Sequence, residues 1–101
     1  MERIGGDEDL LKELVALYVE DEHHLLAEMG QAIAAGDAER LRRAAHTLKG
    51  AVANFSAPRA EAAAYALETA GRDARLDSAA ALLASLRAEL AEIRSALTPY
   101  R

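Results

Sequence analysis

Apolar residues recur along this chain at intervals of three and four, with short polar or glycine-containing breaks between the runs. That spacing predicts helices rather than strands. The first stripe runs through Leu11, Leu14, Val15, Tyr18, Leu25, Met29 and Ile33, to about Ala35. Ahead of it, Ile4-Gly5-Gly6-Asp7 reads as a helix start, with Asp7 as cap and Glu8 and Asp9 where the helix dipole favours acids. The polar run Glu20-Asp21-Glu22 interrupts the stripe, so the pattern fits either one bent helix or two helices meeting at an angle. Gly36-Asp37 supplies a C-terminal glycine followed at once by a cap for the next helix. The stripe of that second helix is Leu41, Ala44, Ala45, Leu48, Val52 and Phe55.

Asn54 to Pro58 form the next break, with Ser56 as the expected cap and Pro58 in the first turn, where a missing N–H costs nothing. A third segment, mostly alanine with Tyr65 and Leu67, extends to Gly71 or Arg72 and should lie close against its neighbours. Asp77 or Ser78 opens the last helix, whose Leu83, Leu86, Leu90, Ile93 and Leu97 form an alternating seam that ends at Pro99. The expected architecture is all-α: an antiparallel up-down four-helix bundle with room for a short extra N-terminal helix, in one domain spanning residues 1–101.

Composition supports that reading and narrows the function. Twenty-five residues are Ala and fifteen are Leu, while Val and Ile together supply six, a mixture that favours helix and starves strands. With 101 residues there is room for one core but not for a nucleotide-binding fold beside a substrate domain. The absence of Cys excludes disulfides, thiolate metal sites and cysteine nucleophiles. The net charge of −5 disfavours nucleic acid and anionic membranes as partners. No apolar run is long enough to insert in a membrane, and Met1-Glu2-Arg3 lacks the order of a signal peptide, so a cytoplasmic location is expected.

One residue sits on the wrong face. At 100° per residue, His46 points roughly 160° away from Leu48, the centre of the apolar stripe of the second helix. Arg42, Arg43 and Lys49 lie three or four residues from it, so three cations share its helix face in an acidic chain. Gly50 follows in mid-helix, where glycine costs about 1 kcal/mol relative to alanine. In a chain that uses alanine wherever it wants something small, omitting a methyl there implies a close approach by another body. A tight helix crossing is the structural explanation, but Gly50 lies near the outward direction. These pieces suit phosphoryl transfer through histidine: a nitrogen nucleophile, cations for the phosphoryl oxygens, and a cleared face for a partner.

The run from Ala45 to Phe55, with its H-x-L-K-G core at His46, Leu48, Lys49 and Gly50, closely resembles the signature of histidine-containing phosphotransfer (HPt) domains of bacterial two-component phosphorelays. The resemblance extends to the acidic, Leu-rich opening helix, the Gly36-Asp37 turn, and Leu67-Glu68 with Gly71-Arg72 close behind. It implies that His46 is the phosphoacceptor, that Lys49 contacts the phosphoryl group, and that Gly50 gives the partner access. It further implies that Glu68 accepts a hydrogen bond from Nδ1–H of His46, leaving Nε2 as nucleophile. Many family members carry Gly after the Asn-Phe pair, where this chain has Ser56. The implied partner is a response-regulator receiver domain, with a sensor histidine kinase as a further donor. Arg42, Arg43, Lys49, Gly50 and Ala53 would form the docking surface. No cofactor is expected on this chain, and the Mg²⁺ of the reaction belongs to the receiver. The expected role is a carrier without its own ATP site, either free-standing or as a module of a hybrid kinase.

Two other readings compete. The chain could be a docking or dimerisation bundle that binds a receiver without being phosphorylated. It could also bind metal through His23 or His24, since His24 has Glu20 and Glu28 four residues to either side. Adjacent helical histidines point about 100° apart, so at most one would join such a site, and a solvated face explains them adequately. Tyr18, Tyr65 and Phe55 are expected to serve as core or half-buried packing. No glycine-rich phosphate loop, carboxylate dyad or Ser/His/Asp arrangement accompanies them.

Overall fold

The computed structural model describes residues 2–55 and 57–100, with side chains described over 9–55 and 57–99. Among these residues the chain forms four helices, α1 (Glu2–Ala35), α2 (Ala38–Ala53), α3 (Pro58–Arg72) and α4 (Ala79–Leu97), and then a short 3₁₀ turn, Thr98–Tyr100. Each helix packs against its neighbours in sequence, and α4 closes the ring against α1. This is the expected all-α four-helix bundle.

Local bonds fix the helix ends. Gly36, with φ of +69°, terminates α1 with its N–H on the Ile33 carbonyl, while the Asp37 N–H reaches back to Ala32. That double bond pattern satisfies carbonyls the helix end would otherwise orphan. The Asp37 carboxylate then accepts from the Arg40 N–H at 3.1 Å and opens α2. Alpha-3 ends in the same pattern, but its left-handed position is held by Ala74, at φ of +56°, rather than by a glycine. Ala57 occupies the cap position of α3 without a side-chain bond and Pro58 enters the first turn. The expected cap, Ser56, lies outside the described residues.

For α1, one expectation is corrected and one open alternative is settled. The helix begins at Glu2, not at an Asp7 cap, so the short extra helix is absorbed into it. Gly5 and Gly6 lower helix propensity but do not forbid the right-handed conformation. Nor does the helix divide at Glu20-Asp21-Glu22. Glu22 is fully buried and meets Arg94 of α4, so a polar residue occupies a core position as half of an ion pair. Burial first, and then the Glu22 carboxylate, push the neighbouring Tyr18 hydroxyl well above its ordinary pKa.

The core is built from the predicted stripes. Val15, Tyr18 and Met29 of α1, Leu41, Leu48 and Val52 of α2, Leu67 of α3, and Leu83, Leu86 and Leu90 of α4 are all buried. Each fully buried leucine contributes about 1.5–3 kcal/mol over exposure. The Tyr18 and Phe55 rings meet at 4.6 Å, closing the end of the core between α1 and α2. Alpha-1 has 34 residues against 15 to 19 for its partners, and among the described residues its buried positions begin only at Val15. Leu11 and Leu14, expected in the stripe, are exposed, together with Leu10 and Leu17.

Where α2 crosses α3, the spacing is set by Gly71. A Cβ on Gly71 would lie 2.7 Å from both the Ala38 carbonyl oxygen and the Arg42 nitrogen. The alanines of α3 allow close packing, and at this one point even alanine is too large. This crossing places the α3 face carrying Glu68 directly beside α2.

Candidate functional site

His46 stands on the outer face of α2 because Leu41, Ala44, Ala45, Leu48 and Val52 occupy the inner one. Its side chain is 62% exposed, and its Nδ1 lies 2.9 Å from Oε2 of Glu68 on α3. Lys49, one turn along α2, places its Nζ 2.7 Å from the other oxygen of the same carboxylate. Glu68 thus bridges an imidazole and an ammonium. Its side chain is only 14% exposed, whereas the ring it holds is open to solvent. The Lys49 ammonium first, and the His46 ring after it, hold the Glu68 carboxyl below the ordinary carboxylate range against the opposing effect of burial.

The geometry has a tautomeric consequence. An ionised carboxylate only accepts hydrogen bonds, so the Nδ1 facing Glu68 must carry the proton. In a neutral ring the lone pair then lies on Nε2, away from Glu68. The arrangement can present an oriented nitrogen nucleophile on a convex surface and can share the positive charge that the ring gains on substitution.

Gly50, one turn after His46, is exposed, and a Cβ there would meet nothing within 4 Å. The glycine therefore relieves no crossing within the bundle; the crossing glycine is Gly71, which the sequence pattern did not single out. Ala53 is also exposed on this side of α2.

The cation cluster differs from the sequence expectation. Arg42 is not free beside the imidazole: it grips Glu39 with Nε at 2.9 Å and Nη2 at 2.6 Å. Arg43 lies 3.8 Å from the same carboxylate and its side chain stays 68% exposed. Three cations therefore face two carboxylates, Glu39 and Glu68, and Arg43 is the least engaged. Glu39 is absent from the sequence reading, where an acid in a helix's first turn carries no distinct signal.

Tyr65 takes the half-buried alternative rather than a place in the core. It is 49% exposed on α3, and the Lys49 Nζ sits 5.0 Å from its ring centroid. His23 and His24 are both exposed on α1, and among the described residues no group of three or more His, Asp or Glu side chains could hold a metal ion. None of the helices in the described residues is long and apolar enough to cross a membrane.

A family model described as "Hpt domain" matches residues 13–96, which includes α2, α3 and nearly all of α4. No curated protein and no solved structure matches the chain. With the model covering most of the sequence, from inside α1 to the last turn of α4, this chain belongs to the Hpt domain family.

Proposed function

We propose that the protein is a phosphorelay carrier in which His46 accepts a phosphoryl group from an aspartate of a receiver domain, or from a kinase, and passes it to another receiver. Family membership supports a phosphorelay histidine phosphotransfer role in general. The observation that carries the specific reading is the exposed His46 ring held through Nδ1 by Glu68 at 2.9 Å.

In this reading the Nε2 lone pair attacks the phosphorus of an aspartyl phosphate. The P–N bond forms as the P–O bond to the aspartate breaks, and the departing carboxylate takes that electron pair. The Nδ1 proton stays in place, and the imidazolium charge is shared with Glu68. Lys49, and Arg43 from the turn before, offer cationic groups to the phosphoryl oxygens, since positioning and charge dominate this chemistry. The onward step is the same exchange in reverse. The Mg²⁺ belongs to the acidic pocket of the receiver, which Arg42, Arg43 and Lys49 complement in charge. Gly50 and Ala53 keep the docking face low, and the exposed Leu11 and Leu14 of α1, which line one groove with Ala51, Asn54 and Phe55, extend it with apolar surface.

The test is incubation with a ³²P-phosphorylated receiver. Acid-labile, base-stable label is expected on this chain and none on a folded His46→Gln variant. Label that persists in that variant would overturn the assignment. Receiver binding without label, unchanged by His46→Ala, would identify a docking bundle instead.

A further inference from the structure

Tyr65 stands out because it is exposed where its helix is otherwise small. It lies three residues before Glu68, so the two share one face of α3, a turn apart. Lys49 reaches across from α2 into the space between them, with Nζ 2.7 Å from Glu68 Oε1 and 5.0 Å from the Tyr65 centroid. Its side chain is 26% exposed although its helix position is peripheral. A lysine on an open helix face has four rotatable bonds and samples many rotamers, most of which carry the ammonium away from a neighbour one turn back. A carboxylate on one side and a π-face on the other restrict it to the α3 side of α2, where His46 also meets Glu68.

We propose that Tyr65 is a positioning residue for phosphotransfer, acting through Lys49. Its ring keeps the ammonium beside the His46–Glu68 pair whether or not the Glu68 contact is made. When an anionic phosphoryl group on His46 competes with Glu68 for Lys49, the ring holds the lysine nearby without competing as an anion would. An aliphatic side chain could cover the lysine stem but would offer no face to the charge. The proposal rests on the carrier reading above, and it identifies a determinant outside the H-x-L-K-G run.

The experiment uses a small phosphoryl donor, phosphoramidate, so that docking of a receiver plays no part. Tyr65→Leu should slow phosphorylation of His46 about two- to fivefold, the range of an exposed cation–π contact, and Tyr65→Phe should restore the wild-type rate. In a Lys49→Met background Tyr65→Leu should have no further effect. A wild-type rate in Tyr65→Leu, equal slowing by Tyr65→Phe, or an effect that survives in the Lys49→Met background would each overturn the proposal. A second readout needs no phosphorylation. The Lys49 Hε resonances should be shifted upfield by the ring, keep that shift in Tyr65→Phe and lose it in Tyr65→Leu. An unshifted Lys49 in the wild type contradicts the contact itself. A shifted Lys49 in a protein that is never labelled contradicts the carrier reading and the positioning role built on it.

Discussion

A Cβ on Gly71 would lie 2.7 Å from two backbone atoms of α2, whereas one on Gly50 would meet nothing within 4 Å. Both glycines belong to the α2–α3 half of the bundle, and both cost helix propensity. At Gly71 the missing methyl lets two helices cross; at Gly50 it leaves an outward face clear. The carboxylates divide the same way. Glu22 is fully buried against Arg94 and joins α1 to α4, while Glu68 is shielded yet holds a ring that faces solvent. The helix crossings use their unusual residues for packing, while the outer face of α2 keeps its own where a second molecule can reach.

The largest effect should come from closing the crossing. Gly71→Ala should destabilise the fold by about 3 kcal/mol, because a backbone clash cannot be relieved by a rotamer change. Urea denaturation measures this, and a wild-type midpoint would show that Gly71 does not set the α2–α3 spacing. Arg94→Met should cost about 2–3 kcal/mol by stranding the Glu22 carboxylate, with part of the pair's cost already softened by the partial exposure of Arg94. Adding Glu22→Leu should recover most of that loss, and no recovery would mean the pair contributes more than mutual neutralisation.

Gly50→Ala is the opposite case. It should raise stability by up to about 1 kcal/mol through helix propensity, while transfer from a phosphorylated receiver slows. A destabilised Gly50→Ala variant would erase the distinction between the two glycines.

The smallest effect concerns pH. Because the folded-state pKa of Glu68 is lowered, the stability it contributes is fully present above the ordinary carboxylate pKa and is lost as the pH falls through its own lower value. The stability difference between wild type and Glu68→Gln should therefore shrink as the pH falls through the ordinary carboxylate pKa, and keep shrinking below it. A difference that grows toward acid would contradict the inferred ion pairing.

Helix count and the stripes of α2 and α4 were legible because three- and four-residue spacing is a local property. His46 was legible as an outward residue for the same reason, and its likeness to a known signature supplied the rest. What the pattern missed required contacts across helices. Glu22 broke the stripe of α1 and left one bent helix or two helices open, since its cation stands 72 residues away. Gly71 read as a helix end, because nothing local reports the two α2 backbone groups pressing on it. Tyr65 was legible as core or half-buried packing, but an aromatic among alanines does not reveal that a lysine from another helix lies over it. Arg42 read as free, although Glu39 three residues earlier was in plain view as a partner.

The most direct test of the central claim is to locate the phosphorus on a uniformly ¹⁵N-labelled, phosphorylated chain by ³¹P–¹⁵N correlation NMR. Coupling to Nε2 of His46 is expected, with Nδ1 still carrying a proton toward Glu68. Phosphorus coupled to Nδ1, or attached to any residue other than His46, would contradict it.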